Sequence, residues 1–119
     1  MQDRFRVRGW SVFDSSYCDD IQNMLFGEED NMTLLDAISK GLVNEITPEQ
    51  CTGLKDKNGK PIYEGDIVEV PVLYNGIPTG KKQRCKVYYK HGAFNIYAVK
   101  SKYLKVIGNI HENPELLKE

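Results

Sequence analysis

"TGLKDKNGKPIYEGDIVEV", Thr52 to Val70, is the stretch that decides the fold. Asn58-Gly59 is its strongest hairpin signal, because both residues tolerate the positive φ that a type I′ turn requires. Leu54 ahead of this turn, and Ile62 and Tyr63 behind it, supply apolar and aromatic partners. Glu64-Gly65-Asp66 reads as a second turn, with Gly65 free to take a positive φ and Asp66 able to bond local amides. Ile67, Val68 and Val70 then launch a strand. The stretch encodes hairpin, turn and strand, with Asn58, Gly59, Gly65 and Asp66 as its structural turn residues.

Two site readings of the same residues fail. Asp56-Lys57-Asn58-Gly59 looks like the start of a calcium loop. The obligatory glycine would then fall at Pro61 and the bidentate glutamate at Ile67, and lysines stand at 57 and 60. A phosphate loop needs glycine amides ahead of a helix, and Pro61 with the β-branched run behind it argues against a helix. The lysines and carboxylates read as hairpin decoration.

Upstream, Phe5 and Val7 alternate with Arg4, Arg6 and Arg8, the period of a half-buried strand. The arginines read as the wet, guarded face of an edge strand, and Gly9 as a bend before Trp10. Residues 14–32 are acidic and irregular. Ile21, Met24 and Leu25 stand at helical spacing before Gly27, and Glu28-Glu29-Asp30 reads as a solvated charge run. Thr33 is a good N-cap, Asp36 stands where a capping-box acid would, and Gly41 is a natural C′ residue. A short helix with Leu34, Leu35, Ile38 and Leu42 along one face follows.

Downstream, residues 75–80 read as a turn or loop. Residues 85–89 and 93–99 read as strands around a tight turn at 90–92. Residues 103–110 form a last strand with Gly108 as a bulge, and Asn113-Pro114 opens a short helix. Several short strands with few helices predict a mainly β fold, a small barrel or rolled sheet.

The 119 residues fit one domain, and 40% apolar with 28% charged side chains is ordinary for a soluble globular chain. No run is long enough to span a bilayer and no signal-peptide core follows Met1, so no membrane partner is expected. Cys18, Cys51 and Cys85 are odd in number and far apart, which supports neither a zinc site nor a disulfide framework; reduced thiols in a cytoplasm are expected. Residues 1–50 carry four basic and ten acidic side chains, and residues 51–119 carry twelve and seven. The chain is nearly neutral as a whole but acidic in front and basic behind.

Four blocks in order carry a resemblance: "CTGLKDKNGKPIYEGDIVEV" (51–70), "GAFNI" (92–96), "YLKVIGNIHENPELL" (103–117) and, more weakly, "RFRVRGW" (4–10). They resemble the YopX-like proteins of bacteriophages and prophages. Residues 14–46 and 71–84 lie outside the match. The resemblance implies a phage or prophage origin in a Gram-positive host and a cytoplasmic product. It implies one domain, 1–119, in which a small SH3-like β-barrel (51–119) carries an N-terminal α/β extension (1–50). It implies no catalytic residue and no cofactor.

The residues admit three function classes. His91 and His111 stand in no triad, Cys-His or metal-ligand pattern, and Glu64 with Asp66 more often caps a turn than works as a carboxylate pair, so an enzyme is not expected. Between Lys81 and Lys105 there are eight basic residues and no acidic one, interleaved with aromatic rings. That pattern suits single-stranded nucleic acid, with Lys81, Lys82, Arg84, Lys86, Tyr88 and Lys90 as the candidate anion-binding residues. The preferred class is an accessory factor that captures a host or phage protein or a small signalling nucleotide. Asp19, Asp20, Glu28, Glu29 and Asp30 are its candidate protein-facing residues, and strand edges with helix 33–42 are a route to a homo-oligomer.

Overall fold

Val7–Ser11 (β1) has strands on both sides: Ser16–Cys18 (β2) and the first half of Ile46–Lys55 (β3), each antiparallel to it. The computed structural model describes residues 6–25, 32–96 and 99–117. It divides into two compact units, Met1–Cys51 and Thr52–Glu119.

In the first unit, the central place of β1 corrects the expectation of an edge strand. Arg8 is only 7% exposed. Its Nε donates to Glu49 Oε1 at 2.9 Å, and its guanidinium lies 3.9 Å from the Tyr17 ring centroid. Tyr17 donates its hydroxyl to the same carboxylate at 3.0 Å and meets Trp10 edge-on. A strand with two neighbours covers its arginine, and a covered charge persists only when paired. Strand β2 formed within the stretch read as irregular. A Cβ on Gly9 would overlap the Ile46 side chain, so this glycine permits close packing.

No helix forms at 21–25. Asp20 turns the chain at φ 54°, Ile21 is buried, and Met24 and Leu25 are exposed. The helix Leu34–Ser39 (α1) carries the full capping box: Asp36 N–H to Thr33 Oγ1 at 3.1 Å and Thr33 N–H to Asp36 Oδ2 at 3.0 Å. The Gly41 and Leu42 amides close its end on the Ile38 and Ala37 carbonyls. Leu34 and Ala37 are the buried positions, and Leu42, past the cap, is exposed.

In the second unit, the later half of β3 turns at Asp56–Lys60 into Pro61–Tyr63 (β4). The turn differs from the expected type I′. Gly59 N–H reaches Asp56 O and Asp56 N–H reaches Lys60 O, while Gly59 has φ 83° and Asn58 stays out of the positive region. This is a three-residue loop, a type I turn closed by a glycine bulge. Its cause is Asp56, whose Oδ1 accepts the amides of Asn58 and Lys60 at 2.9 Å each. The type I′ loop stands at the other Asn-Gly: Asn75 and Gly76 have φ of 53° and 79° and join Asp66–Tyr74 (β5) to Ile77–Lys86 (β6).

Strand β5 is the centre of a three-stranded sheet, between β6 and Lys105–Asn109 (β9). Two irregularities bend it. On β9, Ile107 is an extra residue between the partners Val106 and Gly108. On β6, the register shifts between Pro71 and Leu73. Pro71 and Pro78 bring no N–H to the ladder, and the Thr79 hydroxyl instead donates to Val72 O at 2.8 Å.

The predicted strand 85–89 splits between the end of β6 and Tyr89–Lys90 (β7), and the predicted strand from 93 ends after Ala93–Phe94 (β8), with residues 97 and 98 outside the described residues. The Asn95 amide is the reason: it accepts from Tyr88 N–H at 2.9 Å and donates to Lys86 O at 2.8 Å, replacing the ladder there. Gly65 and Asp66 turn between β4 and β5, with Asp66 Oδ2 accepting Tyr63 N–H at 2.8 Å. Ile62, Val68, Val70, Val87, Phe94, Ile96 and Leu104 make one buried core. The fold is mainly β, its sheet curled as half of a barrel.

A lysine cleft as the candidate functional site

The turn that begins at Asp56 is fastened to a segment some fifty residues later. Asp56 Oδ2 accepts Val106 N–H at 2.9 Å, and Lys57 N–H donates to Leu104 O at 2.9 Å. Asp56 is buried, and burial works to raise its pKa. The N–H groups of Val106, Lys60 and Asn58, with the charge of Lys60, outweigh burial and hold it below its ordinary value. An ionised, fully bonded carboxylate thus places Lys57 beside the start of β9.

A cleft of about 280 Å³ opens there, lined by Lys57, Glu69, Pro71, Pro78, Lys82, Lys102, Tyr103 and Lys105. The sheet register assembles most of it. Glu69 lies directly opposite Arg84 on β6 and Lys105 on β9, and Pro71 lies opposite Lys82. Paired residues share a face, as do alternate residues along a strand, so these side chains stand together. Lys82 Nζ is 3.4 Å from Glu69 Oε1. Lys102, in the 3₁₀ turn Ser101–Tyr103, holds its Nζ 5.2 Å from the Tyr103 ring centroid.

Four lysines and one glutamate therefore line the cleft with two prolines and a tyrosine. Pro71 and Pro78 supply one apolar wall. The chemistry on offer is the binding of a polyanion. Among the described residues, no group of three or more His, Cys, Asp or Glu side chains stands together as a metal site would.

Of the residues read as anion-binding, Lys82 alone lines the cleft. Lys81 is exposed on β6 next to it. Arg84 spends Nη1 on Leu116 O at 3.3 Å. Lys86, Tyr88 and Lys90 do not share one strand face, because the ladder breaks at Val87-Tyr88. Asp19 and Asp20 are exposed after β2, with Gln22 Nε2 donating to Asp20 Oδ1 at 3.3 Å. Glu28, Glu29 and Asp30 lie outside the described residues.

Lys57, Glu69, Lys102, Tyr103 and Lys105 lie outside the set that the sequence marks as anion-binding. Lys102 and Lys105 belong to the basic run, and the Asp56–Val106 and Lys57–Leu104 bonds bring Lys57 to them. No helix among the described residues is long and apolar enough to cross a membrane.

Such a mainly β chain with a basic cleft has relatives. It belongs to the YopX protein family, whose model matches residues 6–118. Its fold is similar to the crystal structure of protein EF1440 from Enterococcus faecalis, with a TM-score of 0.64 over 95% of this chain and 97% of that one, at 23% identity. No curated protein matches it.

Proposed function

We propose that this is a non-enzymatic binding protein whose ligand carries phosphate, either a nucleotide or a single strand of nucleic acid. The observation that supports this reading is the convergence of Lys57, Lys82 and the pair Lys102 and Lys105 on one cleft from three separate chain segments. Membership of the YopX family supports a phage or prophage origin, and with it an accessory, sequestering role in the host cytoplasm.

Fluorescence polarisation with a labelled oligothymidylate, and calorimetry with nucleotides, test the reading at low and high salt. Binding that weakens with salt, and is lost in Lys82→Glu/Lys105→Glu with the fold intact by circular dichroism, is the expected result. Failure of every phosphate ligand at low salt would end it.

A second reading, capture of a protein, draws on the β5–β6 hairpin tip. Leu73, Tyr74 and Ile77 are exposed there, on an arm that a partner or a second copy of this chain would cover. Light scattering and host-lysate pull-down with Tyr74→Ser as the comparison test it. A monomer that captures nothing, with or without the substitution, would dismiss it.

A further inference from the structure

We infer that the cleft takes a compact oligophosphate, the diphosphate or triphosphate end of a nucleotide or pyrophosphate itself, and that it ignores the base. This deepens the phosphate-binding reading and rests on it.

Charge is the first argument. Four lysines and one glutamate line the cleft, so its lining side chains carry a net of three positive charges. Each nucleotide of a polymer brings one negative charge. A cleft of about 280 Å³ has room for roughly one such unit. A strand would therefore leave most of the cleft's charge unanswered. A terminal monophosphate carries about −1.5 to −2 near neutral pH, and a second phosphate brings the total to about −3. The diphosphate matches.

The donors are the second argument. No arginine lines the cleft. An ammonium is a compact point charge with three rotatable donors, whereas a guanidinium imposes a planar fork. Lysines converging from several segments suit a cluster of oxygens without fixed edges, such as a chain of phosphates.

The walls are the third. A base held by stacking would need the face of Tyr103, and Lys102 Nζ already stands over that ring. The ring orients an ammonium. Pro71 and Pro78 offer no N–H to a base edge. Nothing in the lining distinguishes a purine from a pyrimidine.

Calorimetry with the full chain at low salt separates the outcomes, using AMP, ADP, GDP, pyrophosphate and a short oligothymidylate as probes. ADP, GDP and pyrophosphate are expected within about threefold of one another, and each about tenfold or more tighter than AMP. Lys57→Ala and Lys105→Ala should each weaken ADP binding by a similar factor while the melting temperature holds. Equal affinity for AMP and ADP, or a clear preference between ADP and GDP, overturns the inference. Oligothymidylate binding without ADP binding also overturns it, and leaves the phosphate-binding reading standing. Silence from all five probes removes both.

Discussion

Asp56 and Val106 meet through one hydrogen bond, Val106 N–H to Asp56 Oδ2 at 2.9 Å, and that bond joins a hairpin turn to the last strand of the sheet. With Asp56 Oδ1 on the Asn58 and Lys60 amides, one buried carboxylate satisfies three backbone donors. It shapes the turn and places Lys57 at the cleft. Asp56→Ala should therefore cost about 2–3 kcal/mol, because the donors lose a charged acceptor and stay largely buried. Asp56→Asn keeps one acceptor oxygen and should cost about 1–2 kcal/mol, mainly through the Val106 bond. Urea denaturation measures both. A cost below that of an ordinary exposed Asp→Ala would deny Asp56 this role.

Acid should weaken the fold through the same residue. The folded pKa of Asp56 lies below its ordinary value, so the unfolded chain takes up its proton first as pH falls. The contribution is complete above the unfolded carboxylate value of about 3.9 and is lost as pH drops through the lower folded value. Asp36 acts in the same direction. The Thr33 amide, followed by the Thr33 hydroxyl, holds its carboxyl down against a small opposing effect of burial, with Lys40 helping. Melting temperatures followed downward from pH 6 should fall less steeply in Asp56→Asn than in the natural chain. Parallel curves would contradict the assignment.

Two Asn-Gly pairs offer the same turn chemistry, and the structure uses them differently. At Asn75 the backbone sits at φ 53°, in the left-handed region. Alanine there pays the steric cost of that conformation, about 1 kcal/mol. Asn58 is exposed and outside that region, so Asn58→Ala should stay within about 0.5 kcal/mol. Comparing the two urea midpoints decides which pair carries the type I′ turn.

This contrast shows what was legible. Hairpin, turn and strand could be read from residues 52–70 because turn propensity and apolar alternation are local. The capping box at Thr33 and Asp36 was legible for the same reason. The turn type was not, because the Asp56 side chain outbids the intrinsic preference of Asn58-Gly59. Arg8 looked like a solvated residue because alternation cannot tell a central strand from an edge one. Its coverage comes from β2 and β3, and Glu49 lies forty-one residues away. The cleft was half legible. A basic run can be counted, but the Glu69–Lys105 pairing and the approach of Lys57 belong to the tertiary fold.

Gly108 is needed for a close approach. A Cβ there would lie 2.6 Å from Asn113 Oδ1 and 2.9 Å from Asn113 Cβ. Asn113 is not free to retreat: its amide donates to Asn109 O at 2.9 Å and its Oδ1 accepts Asn109 N–H at 3.3 Å. Gly108→Ala should cost about 1–3 kcal/mol. Trimming Asn113 to glycine as well should recover part of that loss, a coupling of about 1 kcal/mol in a double-mutant cycle. Simple additivity would place the strain elsewhere.

Glu69 is the one acidic residue in the cleft, and its position makes it the resident counter-ion. Its cross-strand neighbours are Arg84 and Lys105, and Lys82 stands 3.4 Å away. A phosphate entering the cleft must take over the Lys82 ammonium from the carboxylate and meets its repulsion. Glu69→Gln keeps the shape and removes the charge. Ligand binding should tighten by about three- to tenfold at low salt, since exposure and screening moderate the Coulomb gain. The salt dependence should steepen, because more cationic charge is then neutralised by the ligand rather than from within. Stability should change by no more than about 1 kcal/mol, the range of an exposed ion pair. A carboxylate whose real task is to aim Lys82 at the ligand predicts the reverse, weaker binding in Glu69→Gln. The sign of the change in ADP affinity, measured beside Lys82→Ala, therefore decides whether Glu69 competes with the ligand or prepares its place.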